Sequence, residues 1–144
     1  KELTLDDKGP VVQSLGTSAG TRAKPSGNII TAVFDEATGL SADDVFLHVD
    51  SSKITATNCR KETNWVCIWN NVNFGSSSKI SIESDTTDVL ANAVSEAKTV
   101  DIFVDNKPPV LRNISIEAVG GLVQAFPGFF KIGDKIAVLA NLTE

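Results

Sequence analysis

Short apolar runs with a period of two, each closed by a turn residue within a few positions, leave this chain few ways to fold. Val45, Leu47 and Val49 alternate with Phe46, His48 and Asp50. Ile80 and Ile82 alternate with Ser81 and Glu83, and Val100, Ile102 and Val104 with Thr99, Asp101 and Phe103. Successive strand side chains point to opposite faces, so each run presents one apolar face and reads as a half-buried strand. Residues 10–15 read as a strand opened by Pro10, and 16–27 as a loop of Gly, Ser, Thr and Pro. Residues 29–34 are apolar at both parities and rich in β-branched side chains, which predicts a central strand. Residues 35–44 are polar, with a turn at Thr38-Gly39, and 54–59 and 65–69 read as two arms of a hairpin. Val89, Leu90, Ala93, Val94 and Ala97 approach helical spacing behind Asp85-Thr86-Thr87-Asp88, which could cap a short turn; the stretch 84–98 is read as a loop between the last two strands. Many short strands and no convincing helix predict an all-β fold, a sandwich of two sheets.

A repeat sets the domain organisation. Leu5-Asp6-Asp7-Lys8-Gly9-Pro10-Val11-Val12 resembles Val104-Asp105-Asn106-Lys107-Pro108-Pro109-Val110-Leu111, a shift of 99 residues. Ile30-Thr31-Ala32-Val33-Phe34-Asp35-Glu36 resembles Val138-Leu139-Ala140-Asn141-Leu142-Thr143-Glu144, a shift of 108. A period near 100 residues is the size of one immunoglobulin-like domain. The expectation is one such domain over 1–107, with 108–144 supplying the first two strands of a second unit or a segment donated to a neighbouring subunit. Two strands, around 110–116 and 136–142, cannot bury both of their faces by themselves.

These residues resemble tandem bacterial and archaeal immunoglobulin-like surface repeats. A unit there opens with Asp-Asn, then Pro-Pro and a strand, as Asp105-Asn106-Lys107-Pro108-Pro109-Val110 does. A Phe-x-x-Gly-Asp-x-Ile run precedes the second strand, as in Phe130-Lys131-Ile132-Gly133-Asp134-Lys135-Ile136, and that strand ends like Phe34-Asp35-Glu36-Ala37-Thr38-Gly39. The first unit departs from the pattern, with Gly9 in place of the first Pro and no Gly-Asp before Ile29. The resemblance implies an immunoglobulin-like β-sandwich in an extracellular spacer, adhesin stalk, surface layer or filament, with no catalytic residues. Its partners would be other copies of the chain or neighbouring domains of a longer one.

Composition agrees with that setting. Charged residues are 22% of the 144 and the net charge is −5, with no basic cluster to form a nucleic-acid footprint. No apolar run is long enough to span a bilayer. A chain that opens Lys1-Glu2-Leu3 and contains no Met reads as a processed product or an excised fragment. Cys59 and Cys67 flank a loop short enough to set them opposite one another on adjacent strands, so a disulfide is expected, in keeping with an oxidising, extracellular compartment. Zinc is disfavoured because there is no C-x-x-C and only one His, His48.

The remaining candidates are weighed against plainer readings. Trp65, Cys67 and Trp69 share one strand face, opposite Val66 and Ile68. An outward tryptophan face would be a binding patch, for carbohydrate or a receptor in an adhesin; an inward one would be core. His48 falls at the solvent-facing parity and no nucleophile–base spacing accompanies it, so no catalytic residue and no enzyme is expected. No cofactor is expected, with calcium the one metal left open. Its candidate ligands are Asp35, Glu36, Asp105 and Asn106, whose plainer role is as solvated turn residues. Asn113-Ile114-Ser115 and Asn141-Leu142-Thr143 are glycosylation sequons, so glycan is a further possible partner.

Overall fold

The structure is a computed structural model that describes residues 5–75, 77–118 and 136–143. Among the described residues eleven strands are present: β1 (Val11–Thr17), β2 (Arg22–Ala23), β3 (Asn28–Asp35), β4 (Phe46–Val49), β5 (Ser52–Thr55), β6 (Asn58–Lys61), β7 (Trp65–Val72), β8 (Ser77–Ile82), β9 (Lys98–Val104), β10 (Val110–Ala118) and β11 (Ile136–Thr143). The one helical element among the described residues is a single 3-10 turn at Ala42–Asp44. The chain divides into two compact units, Lys1–Asn106 and Lys107–Glu144.

The first unit holds two sheets, in the orders β1-β3-β7-β6 and β2-β9-β8-β4-β5. All neighbours pair antiparallel except β2, which lies parallel to β9. Inward side chains of both sheets form one core. Ile30, Ala32, Phe34, Cys67 and Trp69 come from the first sheet, and Leu47, Val49, Ile80, Ile82 and Ile102 from the second. This is the two-layer arrangement of a β-sandwich, and it follows from the alternation at 45/47/49, 80/82 and 100/102/104: the apolar parity faces the other sheet.

β3 is central in its sheet, as expected, with one layer packed against it. Asn28, Ile30, Ala32 and Phe34 are buried, while Ile29 on the opposite parity is 51% exposed. One strand expectation is corrected: the predicted hairpin arm at 54–59 splits between sheets. Ile54 belongs to β5, and the arm that pairs with β7 is β6. The chain crosses over at Ala56, whose N–H donates to the Val45 carbonyl, and Thr57, whose N–H donates to the Ile68 carbonyl. The stretch 84–98 is a loop, with an isolated bridge between Thr87 and Ala93.

The second unit shows β10 paired antiparallel with β11, Val110 opposite Thr143 and Ala118 opposite Ile136. Its register slips once, between Leu111 and Asn113. β1 and β3 slip once as well, between Val12 and Ser14, with Val11 opposite Asp35 and Val12 opposite Phe34. Moving β1 by 99 residues and β3 by 108 superposes one register on the other, bulge included: Gln13 corresponds to Arg112, Ser14–Val33 to Asn113–Asn141, and Thr17–Ile30 to Ile116–Val138. The 119–135 stretch, which includes most of the Phe130 to Ile136 motif, lies outside the described residues.

Candidate functional site

Three places in the molecule carry chemistry beyond packing. The first is the β6–β7 hairpin. Cys59 and Cys67 face one another in register and are joined in a disulfide within one sheet. Trp65, Cys67 and Trp69 share the inward parity, which decides between the two orientations. Cys67 and Trp69 are fully enclosed, Trp65 is half-buried, and the Trp69 indole N–H donates to the Ile54 carbonyl at 3.0 Å. Trp65 and Trp69 therefore form no exposed binding patch. The tryptophan side belongs to the core, where a buried indole needs and finds a polar partner.

The second place is the outer face of β4 and β5. His48 does not simply point to water: its side chain is about one-fifth exposed and its Nε2 lies 3.0 Å from Asp85 Oδ2. Lys53 Nζ approaches the same carboxylate at 2.8 Å and stands 3.6 Å from the centroid of the Phe46 ring. Burial raises the Asp85 pKa, but hydrogen bonds and charge from Lys53 and His48 outweigh it and hold the carboxyl below the ordinary 3.8.

The third place is an acidic cluster that sequence spacing did not announce. Asp6, Glu36 and Asp88 each bring a carboxylate oxygen within 4.8 Å of the others. Asp6 comes from the segment before β1, Glu36 follows the end of β3, and Asp88 lies in the loop after β8. Glu36 is 5% and Asp88 2% exposed. Glu36 Oε1 accepts from the Thr38 N–H and hydroxyl, at 2.7 and 2.8 Å. Asp88 Oδ1 accepts from the backbone N–H of Leu90 and Asn92, and Oδ2 from the Asn92 side-chain amide and, at 3.5 Å, the Thr38 hydroxyl. Burial raises the Asp88 pKa; the donors of Asn92, Leu90 and Thr38 outweigh it, so the carboxyl sits below 3.8 and is ionised at neutral pH. Asp6 Oδ1 accepts from the Lys8 N–H, whereas Oδ2 is buried and has no hydrogen-bond partner. An open cleft lined by Asp6, Lys8, Gly9, Val11, Asp35, Glu36 and Ala37 leads to the cluster.

The calcium set expected from sequence does not assemble. Asp35 and Glu36 stand at the exit of β3, but Asp105 is tied by its N–H to the Ala23 carbonyl, beside Asn28 at the entrance of β3, and Asn106 follows it. Seven steps of strand, roughly 23 Å, separate the two ends. Of the four, only Glu36 enters the cluster. Asp6 and Asp88 stand among the acidic residues of the sequence but not in the expected set, because their sequence distances of 30 and 52 from Glu36 match no metal-binding spacing. The one available signal was that Asp6 and Glu36 both recur in the repeat, as Asp105 and Glu144.

Asn113 and Asn141 are opposite one another in the β10–β11 register and both are exposed. By the equivalence with β1–β3 they occupy the parity that faces away from the core in the first unit. The other parity, Leu111, Ile114, Val138 and Leu142, corresponds to the buried Val12, Leu15, Ile30 and Phe34 but is 51–62% exposed. Comparison with protein-family models, with curated proteins and with solved structures finds no match to this chain.

Proposed function

We propose that the chain is a non-catalytic structural module of an extracellular surface protein, surface layer or filament, built from tandem immunoglobulin-like units. The observation that carries this reading is the second bulged pair. β10–β11 has the register of β1–β3, offset by the two shifts visible in the sequence, and an apolar parity at the positions that are core in the first unit. A chain that starts the same construction twice, about 100 residues apart, is organised as a repeat rather than around one active site.

The immunoglobulin-like assignment is supported by strand order. β1-β3-β7-β6 follows the A-B-E-D order of such domains, and β9-β8-β4 follows G-F-C, with β5 as an added strand and β2 an edge strand beside β9. The disulfide departs from that pattern, since it staples β6 to β7 within one sheet rather than bridging the two. It is compatible with an oxidising compartment, and the exposed sequons Asn113 and Asn141 are compatible with glycan on the polar face of β10–β11. The partner of the apolar face is then a neighbouring unit of the same construction, on the same polypeptide or another copy.

Antibody against the first unit, applied to intact cells of the source, is expected to label their surface. Labelling that appears only after permeabilisation overturns the extracellular structural reading.

A further inference from the structure

We propose that the five residues ahead of Asp6 are the closing strand of a further immunoglobulin-like unit, one that precedes the first unit on the same polypeptide. This rests on the tandem reading and names the neighbour that adjoins the first unit ahead of β1.

The shift of 99 residues that sets Leu5 on Val104 extends back to the first residue. Lys1-Glu2-Leu3-Thr4-Leu5 falls on Val100-Asp101-Ile102-Phe103-Val104, the later part of β9, the last strand of the first unit. β9 has two kinds of position. Ile102 and Val104 point inward and are buried, whereas Asp101 and Phe103 face out. The match divides along that line. Leu3 and Leu5 keep the inward positions apolar, Glu2 keeps the acid of Asp101, and the outward Phe103 becomes Thr4. A half-buried strand needs apolar residues on its core parity and tolerates change on the other. A chance likeness has no reason to sort by burial. Lys1 departs from an inward residue, and there Val100 is only partly buried.

Residues 1–4 lie outside the described residues; Leu5 does not, and the first unit gives it no place. Its side chain is 87% exposed, while Val104 at the matching position is 6% exposed. From the next residue on, the chain is seated on the first unit. The Asn92 side-chain amide donates to the Asp6 carbonyl at 3.2 Å. Gly9 lies so close to the Ala93 carbonyl that a Cβ would collide with it, and Pro10 is fully buried. The boundary of the first unit therefore falls between Leu5 and Asp6, and Leu5 belongs to the core of whatever stands ahead of it. The loop that holds Asp6 and Gly9 also leaves Val89 and Leu90 more than half exposed, apolar surface on the loop that receives the incoming chain.

Two experiments test this. The reading frame of the source, sequenced ahead of Lys1, should stay open for about 100 residues, the length of one unit. It should carry a run of alternating apolar residues like β8 some way ahead of Lys1, at the spacing by which Ile80 stands 20 residues before Val100. An in-frame stop within one unit length, or an open frame without that run, overturns the proposal. In the 144-residue chain, Asp101→Glu, Ile102→Leu, Phe103→Thr and Val104→Leu together write residues 2–5 into β9. This variant should fold, with Tm lowered by no more than about 10 °C, as core changes of nearly conserved volume allow. Asp101→Leu, Ile102→Thr, Phe103→Leu and Val104→Asp together write residues 3–6 there, one register out, and bury an aspartate; this variant should not fold. Failure of the in-register variant to fold, or equal Tm values for the two, overturns the strand equivalence. An open upstream frame with that run, found together with failed surface labelling, strikes the extracellular reading and leaves this inference standing. The reverse pair of results strikes this inference alone.

Discussion

β1–β3 and β10–β11 are the same object in two environments. Each is an antiparallel pair with one bulge at the same place, and each has one parity that is apolar at matching positions, Val12, Leu15, Ile30 and Phe34 in one and Leu111, Ile114, Val138 and Leu142 in the other. In the first unit that parity lies under a second sheet, and Ile30 and Phe34 are inaccessible to water. In the second, Val138 and Leu142 at the matching positions are 62% and 60% exposed. Register and bulge are thus set by the pair itself, through alternation and local backbone geometry, whereas burial is set by what covers the pair. A two-stranded sheet with an open apolar face is marginal in water, so the two pairs should differ sharply in what a substitution costs.

The largest contrast is at Phe34 and Leu142. Phe34→Ala removes a fully buried ring and should destabilise the first unit by about 3–5 kcal/mol. Leu142→Ala removes an already exposed side chain and should change the same transition by less than about 0.5 kcal/mol. Urea unfolding followed by tryptophan fluorescence reads the first unit, since both Trp65 and Trp69 belong to it. Equal losses at the two positions would break the comparison.

Next in size is the disulfide, which only the first unit has. The loop closed by Cys59 and Cys67 spans eight residues of separation, and the loop-entropy argument gives about 2.5 kcal/mol for it. Cys59→Ser should lower Tm without altering strand pairing. Hydrogen exchange on β10 and β11 should be the same in both proteins; a change there would mean the two units unfold together.

Deleting the bulge residue sharpens the comparison further. Loss of Gln13 makes Val12–Phe34 and Ser14–Val33 consecutive pairs, so Val12 and Leu15 keep their inward parity; it removes the local bend and twist of the bulge and should cost the first unit about 1 kcal/mol. Loss of Arg112 makes the same change in β10, where Leu111 has no cover to lose, and the first unit should melt unchanged. A comparable drop in Tm from both deletions would show that β10–β11 stabilises the first unit.

These features were unevenly legible in the sequence. The strands at 45/47/49, 80/82 and 100/102/104 could be read because a strand facing one partner sheet writes its orientation as alternation. The shifts of 99 and 108 could be read because the pair repeats almost whole. The bulges could not, since Gln13 and Arg112 are ordinary polar residues with no Gly or Pro to mark them. The crossing between sheets at Ala56 and Thr57 was hidden for the same reason, and Ile54 was assigned to the wrong arm. Gly9 is a case where the structure supplies a reason the sequence lacked: a Cβ there would run into the Ala93 carbonyl, so the first unit cannot carry the Pro found at position 108. The acidic cluster was least legible of all, because it joins three segments brought together only by the completed fold.

The smallest expected effect is electrostatic and belongs to the outer face of β4 and β5, for which the described part of the second unit has no counterpart. Asp85 is held below its ordinary pKa of 3.8 because the hydrogen bonds and charges of Lys53 and His48 outweigh burial. A carboxyl depressed in the folded state stabilises that state above its unfolded pKa, and the contribution disappears as pH falls through the folded value. The loss should therefore begin near pH 4 and be complete only at more acidic pH. With 34% of the Asp85 side chain exposed, solvent screens the pair, and the contribution should stay under about 1 kcal/mol and shrink further in salt. Asp85→Asn should lower stability slightly at pH 6 and make no difference near pH 2, measured by urea unfolding. A stability difference between the two proteins that grows as pH falls would reverse the sign and exclude Asp85 as the partner of Lys53 and His48.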